Sequence, residues 1–217
     1  SMYDGTSWTN NWSTSNVEND QISLALDAND QPHISYSRDG YLCNAALLSY
    51  FDGTSWITIT LDDTTTYIGC DSSLAIDSNG FVHVAYRHHS NKDMLIASNI
   101  SGSWQRYTVD NGNGVGYHSA MAVDSNDELH LVYASDTANG NAVYYADGTS
   151  GSAWTVSSQG NSRDTFSMYI DQFDIVHISE YNGDSDLGYS MVAPGASRQS
   201  TIIDLAGDVG NANDIFV

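Results

Sequence analysis

Residues 73–86 read SLAIDSNGFVHVAY, and the same pattern stands at 23–36 (SLALDANDQPHISY), 120–133 (AMAVDSNDELHLVY) and 167–180 (SMYIDQFDIVHISE). In each, a short apolar run ends in an Asp (Asp27, Asp77, Asp124, Asp171) and a polar turn follows. Six residues beyond the Asp, a His (His33, His83, His130, His177) opens a second β-rich run. Two such runs joined by a tight turn predict a β-hairpin, and the constant Asp-to-His offset fixes its register. The Asp recurs after 50, 47 and 47 residues, so the hairpin belongs to a repeat.

Reading outward from the hairpin, each unit continues through a variable loop into a third apolar run (ALLSYF, MLIAS, AVYYA, LGYSMV), a turn of small residues and a fourth run. The fourth runs open at Trp8, Trp56, Trp104 and Trp154, with Arg198 in the corresponding place of the last unit. Four antiparallel strands in about 47 residues are the signature of a β-propeller blade, which cannot cover both of its faces without neighbours. The expected fold is all-β: one propeller domain over 1–217, with repeats at 20–62, 70–110, 117–158 and 164–204. SMYDGTSW (1–8) matches SYFDGTSW (49–56), and NDIFV (213–217) looks like the start of a further first strand. Segments 1–16 and 210–217 are therefore read as parts of a closing blade in a five-bladed ring. That blade lacks its second strand, so it is short, or belongs to a larger ring, or is completed by self-association with another chain's strand.

Composition agrees with this reading and narrows the partners. Of the 27 acidic residues only Glu18, Glu128 and Glu180 are Glu, and Asp belongs to turns where Glu belongs to helices. Ten Asp (27, 77, 124, 171; 4, 52, 147; 62, 110, 204) recur with the repeat, so much of the net charge of −21 comes from turns and strand ends. With only 6 Lys and Arg, the surface has no electrostatic footprint for nucleic acid or anionic lipid. No run of about 18 apolar residues exists to insert in a membrane, and SMYDGTSWTNNW has no signal-peptide pattern.

The repeat SLAIDSNGFVHVAY together with DGTSW (Asp4 to Trp8, Asp52 to Trp56) resembles the BNR-like, sialidase-type propeller superfamily and, more loosely, propeller modules of bacterial surface proteins. DGTSW sits where that superfamily carries its Asp-box, between third and fourth strands, with Asp four residues before Trp instead of five. The resemblance implies architecture, since the box is a structural turn. It does not extend to sialidase chemistry: the chain has five Arg, no FRIP-like segment, and Arg106 and Arg198 lie on fourth strands at the rim.

Departures from the repeat mark the candidate sites. Arg87, His88 and His89 follow the second strand of one unit, and Tyr117 and His118 precede the first strand of the next. Together they form either a polar loop pair or a ligand-binding pocket, with His88, His118 and Tyr117 available for acid–base chemistry on a uronate, similar in residue type to polysaccharide-lyase propellers. Glu180 stands in the slot of Tyr36, Tyr86 and Tyr133. It is either a catalytic carboxylate or a substitution that Tyr181 repairs through a small bulge. The repeated His are read as buried groups bonded to a neighbouring blade, the repeated Asp as turn acceptors and the Trp set as rim packing, with stacking onto a sugar ring as the alternative.

Cys43 and Cys70 fall on one face of adjacent blades, where a disulfide fits a secreted or cell-surface protein. Asn11 and Asn99 begin glycosylation sequons. The clusters Asp62/Asp63, Asp71, Asp184/Asp186 and Asp204/Asp208 offer oxygen ligands suited to Ca2+, without a recognised calcium-loop spacing; no cofactor is required and the metal is unknown. The functional expectation is a lectin-like module that binds carbohydrate or another surface polymer, with a polysaccharide-active enzyme and a self-assembling structural module as alternatives.

Overall fold

The computed structural model describes residues 2–3, 6–9, 21–38, 43–64, 67–112, 114–135, 142–148, 155–161, 166–181, 187–193 and 203–204. Strands β1 (Met2–Tyr3) and β2 (Trp8–Thr9) form an antiparallel pair. Four sheets follow. The first is β3 (Ser23–Leu26), β4 (Pro32–Arg38), β5 (Ala45–Phe51) and β6 (Trp56–Asp62), and the second is β7 (Ile68–Ile76), β8 (Val82–His88), β9 (Asp93–Ser98) and β10 (Gln105–Asp110). The third is β11 (Val115–Val123), β12 (Leu129–Ser135), β13 (Ala142–Gly148) and β14 (Thr155–Asn161), and the fourth is β15 (Phe166–Ile170), β16 (Val176–Tyr181), β17 (Leu187–Val192) and β18 (Ile203–Asp204). Strand order within every sheet equals chain order, all pairs are antiparallel, and first strands of consecutive sheets meet: β3 and β4 against β7, β7 against β11, β11 against β15. This is the expected β-propeller, with four four-stranded blades among the described residues. The first strands of blades two and three start at Ile68 and Val115, two residues before the expected boundaries, because each carries a bulge ahead of the repeat motif.

The repeated Asp closes each hairpin as its residue type requires. One oxygen accepts N–H bonds from residues two and four further on: Asn29 and Gln31 on Asp27, Asn79 and Phe81 on Asp77, Asn126 and Glu128 on Asp124, Phe173 and Ile175 on Asp171. The repeated His differs from its expectation, because the partner lies in its own hairpin. His83 meets Asp77 at 3.4 Å and His177 meets Asp171 at 3.2 Å, each through the Asp oxygen that the turn leaves over. In blades three and four the other ring nitrogen bonds a third-strand Tyr, Tyr145 or Tyr189. A six-residue offset across a tight turn brings His back beside the Asp, so the bond stays within the blade.

Alternate residues of each strand face opposite seams. Val84 and Tyr86 pack with Ala46, Leu48 and Leu61 of blade one, whereas Ala85, Met94 and Ile96 pack with Val115, Leu129 and Leu131 of blade three. Val132, Val143 and Tyr145 face Val176 and Ile178 of blade four. The outward face of blade one is bare among the described residues: Leu24 is 62 % exposed where its counterpart Leu74 is 5 %, and Tyr169 on blade four is 68 % exposed.

Polar links cross the same seams. Ser35 meets Ser72, and Ser73 meets Ser119, joining first strands to their neighbours. Asp127 accepts from the Ser78 backbone and hydroxyl, and Asp174 does the same for Ser125. The first seam has neither half of this latch, since Ala28 and Gly80 occupy the two positions. It has a different brace: Cys43 and Cys70 form a disulfide, Cα–Cα 5.3 Å, beside an Ile68 N–H bond to the Cys43 carbonyl. Gly69 follows with φ 96°, and a Cβ there would lie 2.4 Å from the Ala46 nitrogen, so the strand can pass blade one only as glycine.

These links set the pH response. Burial holds the His83 pKa below its ordinary 6.5 despite the upward pull of Asp77. The Asp127 carboxyl lies below its ordinary 3.8 through the Ser78 bonds, and Asp174 likewise through Ser125. All three depressed values make the unfolded chain the stronger proton binder, so stability present at neutral pH is lost on acidification. Denaturant unfolding should show a first decline as pH falls below 6.5 and a second below 3.8. His83→Gln should remove the first; constant stability from pH 7 to about 5 would contradict the assignment.

Candidate functional site

Asp62 ends the fourth strand of blade one with its side chain wholly inside the seam. It accepts hydrogen bonds from Tyr86 of blade two (2.9 Å), from the Thr64 backbone and hydroxyl, and from Arg106 of β10 (2.7 Å). Burial raises its carboxyl pKa, and the bonds from Arg106, Thr64 and Tyr86 outweigh burial and hold it below the ordinary value. The Tyr86 hydroxyl is pushed far up by burial and by the Asp62 charge, so it stays a donor. The Arg106 side chain, whose guanidinium also bonds Thr64 (2.9 Å), is 46 % exposed. Around this pair opens a cleft of about 320 Å³ between blades one and two, lined also by Gln105, Tyr107, Thr108 and His88. An anchored cation, amide, hydroxyls and a phenol ring around a small cleft suit a polyhydroxylated ligand.

Sequence reasoning missed this cleft: it placed Arg106 correctly on a fourth strand at the rim but drew no site from it. The Tyr–Asp bond is a repeat feature, because Tyr133 donates to Asp110 at the next seam (2.8 Å). Arg106 is not: the register puts Thr58 and Val156 at its position in blades one and three. A lone Arg on a fourth strand, aligned against uncharged counterparts, was the available signal.

The Arg87–His89 and Tyr117–His118 segments meet across the second seam, but not as one pocket. Arg87 is fully buried, its Nε donating to the Val115 carbonyl (3.2 Å) and Nη1 to His89 Nδ1 (3.0 Å), while its guanidinium carbon lies 3.4 Å from the Tyr117 ring centroid. Guanidinium only donates, so His89 Nδ1 carries a lone pair and its proton sits on Nε2. Gly116 leaves room for the Arg87 stem, since a Cβ there would lie 3.1 Å from Cγ. Arg87 thus staples two blades, with Tyr117 covering it. His118 reaches Asp71 at 3.8 Å, both with left-handed φ at matching bulges. His88, on the opposite strand face, accepts from the Asn91 N–H and lines the first-seam cleft.

Glu180 pairs by register with Phe166 and Gly188, and the ladder runs through Tyr181 without a shift. The expected bulge is therefore absent. Gly160 stands at the register position of Asp62 and Asp110, so at the third seam both halves of the Tyr–Asp pair are replaced together; the Glu180 side chain lies outside the described residues, as do Trp154, Asp184, Asp186, Asp208 and Asn11. The Trp8 side chain does too. Trp56 contacts Phe51, and Trp104 packs against the first-seam core. Asp52 accepts from the Thr54 and Ser55 backbone, which makes DGTSW a turn. Among possible metal ligands, Asp124, Glu128 and His130 offer atoms within 4.8 Å of one another.

The fold places the chain among the β-propellers. No protein-family profile and no curated protein matches it. Among solved structures it is similar to a protein of unknown function from Dyadobacter fermentans (TM-score 0.66, 11% identity, 89% of this chain and 70% of that one). It is also similar to the SapL1 lectin in complex with alpha methyl fucoside (0.61, 11%, 87% and 64%) and the fucose-specific lectin of Aleuria aurantia (0.61, 10%, 88% and 65%). The chain thus spans just under two thirds of either lectin's length. A thermostable family-43 glycoside hydrolase shares the architecture (0.53, 10%, 87% and 72%). At these identities the likeness is one of fold.

Tyr86→Phe leaves one oxygen of a buried carboxylate short of a donor and should destabilise the chain by about 1–3 kcal/mol in equilibrium unfolding. Tyr36→Phe, whose hydroxyl meets Ser49 within its own blade, should cost less. Equal losses would contradict the special standing of the Asp62 seam.

Proposed function

We propose that this chain is a lectin-like β-propeller of the BNR-like repeat group, secreted or displayed at a cell surface, which binds carbohydrate in the cleft between blades one and two. The observation that carries the reading is Arg106, half exposed at the cleft and fixed by a buried carboxylate, among residues able to bond sugar hydroxyls and pack a sugar face. Fold likeness to two fucose-binding lectins supports a sugar and makes a fucoside the first ligand to try. The net charge favours neutral glycans over polyanions. A Debye length of about 8 Å at physiological salt still leaves a local cation free to act. The cleft binds through protein donors and acceptors, and no metal ion is assigned to it.

A glycan array, run with and without chelator, should show binding to neutral glycans, fucosides included, that survives the chelator. Gln105→Ala, an exposed change outside the Asp62 network, and Arg106→Ala should each weaken it about tenfold or more, the loss of one good polar contact. Silence across neutral and acidic glycans would sink the proposal.

Glycan cleavage is the second reading, supported by the fold shared with family-43 hydrolases and by the half-buried His118–Asp71 pair beside Tyr117. In it His118 and Tyr117 move protons at a sugar bound at the second seam, whereas His88, which lines the first-seam cleft, and Glu180 of blade four stand apart from that pair. Incubation with uronate and neutral polysaccharides should then release unsaturated or reducing ends, and His118→Ala should abolish the release. Activity unchanged in that variant, or none on any polymer, removes this reading.

A further inference from the structure

We propose that Asp124, Glu128 and His130 of blade three form a site for one first-row transition-metal ion of the Zn2+ type, distinct from the cleft. The turn Asp124–Glu128 uses only one Asp124 oxygen, which accepts the Asn126 and Glu128 N–H groups. The other oxygen faces His130 Nε2 at 3.5 Å. The equivalent contact is a hydrogen bond of 3.4 Å in blade two and 3.2 Å in blade four. In blade three it stays open, and Nε2 is a buried nitrogen with no hydrogen-bond partner. The His130 side chain is 9 % exposed, so water does not compensate it freely.

Blade three alone adds a third ligand at this corner. Glu128 replaces Gln31, Phe81 and Ile175 of the other hairpins, and its carboxylate completes a set within 4.8 Å. Tetrahedral bonds of about 2.0–2.1 Å separate ligand atoms by about 3.4 Å, close to the 3.5 Å between Asp124 and His130. Two carboxylates and an imidazole suit Zn2+, Co2+ or Mn2+ better than Ca2+, which takes oxygen alone. His130 Nδ1 bonds the buried Tyr145 hydroxyl, and such an outer partner orients a ligating imidazole. Asp174 of blade four adds negative charge nearby, which favours a cation. The fourth position is left to water or an external donor.

Titration of the chelator-treated full chain with Co2+, followed by visible absorption and by Zn2+ displacement, tests the site. One ion per chain is expected, with the bands of a low-coordinate N/O site. Tyr145→Phe should weaken binding about 10–100-fold, and Glu128→Gln, at a half-buried side chain outside the core, at least as much. Circular dichroism establishes that the variants are folded. The proposal is overturned if the folded chain binds neither ion saturably. It is equally overturned if Glu128→Gln binds unchanged, placing the ion at another Asp–His pair, or if Ca2+ occupies the site and Zn2+ cannot displace it.

Discussion

A carboxylate buried between two sheets must find its donors across the seam, and Asp62 is where this constraint shapes the molecule. Its side chain has no contact with solvent, and its partners come from β8, from the turn after β6 and from β10. Packing of Val84 and Tyr86 on Ala46 and Leu48 supplies cohesion but little registry, because apolar contact is non-directional. The bonds to Asp62, with the Ser35–Ser72 contact and the Ile68–Cys43 backbone bond, set the registry. They fix how far blade two slides along blade one, hold the cleft open, and leave the guanidinium of Arg106 with one side anchored and the other toward solvent.

The seams are not equivalent, and their differences come in pairs. At the first, Ala28 and Gly80 remove both halves of the Ser–Asp latch, and the Cys43–Cys70 disulfide braces the far end. At the second, Arg87 threads between blades beneath Tyr117. At the third, Glu180 and Gly160 replace the Tyr and Asp of the buried pair. At the first seam, loss of one latch partner would strand a polar group, whereas joint loss to Ala28 and Gly80 is cheap. The seam freed of the turn latch is also the one with the cleft.

Much of the architecture was legible because it is local. Hairpins, the Asp turns and DGTSW depend on residues a few positions apart, and a period near 47 reveals how often they recur. The Cys43–Cys70 pairing followed from placing both loops on one face. The His partners were misjudged for a geometric reason: a tight turn folds residue six back onto residue zero, and the period says nothing of that. The cleft was hidden for another. Asp62 and Arg106 are far apart in sequence, and their contact depends on which strand face each occupies at a bulge where the register shifts. Arg87 illustrates the same limit, since an exposed-looking basic triplet alternates between a staple, a cleft wall and a surface ring.

The proposed sugar site lies at the first seam, on the Arg106 side of the Asp62 network. Amide chemical-shift mapping of the isotopically labelled chain during titration with a bound glycan tests it most directly. The account predicts shifts concentrated at Asp62, Thr64 and Gln105–Thr108, with saturation behaviour common to all of them. Shifts centred instead on Tyr117 and His118, or spread without a focus, would contradict it.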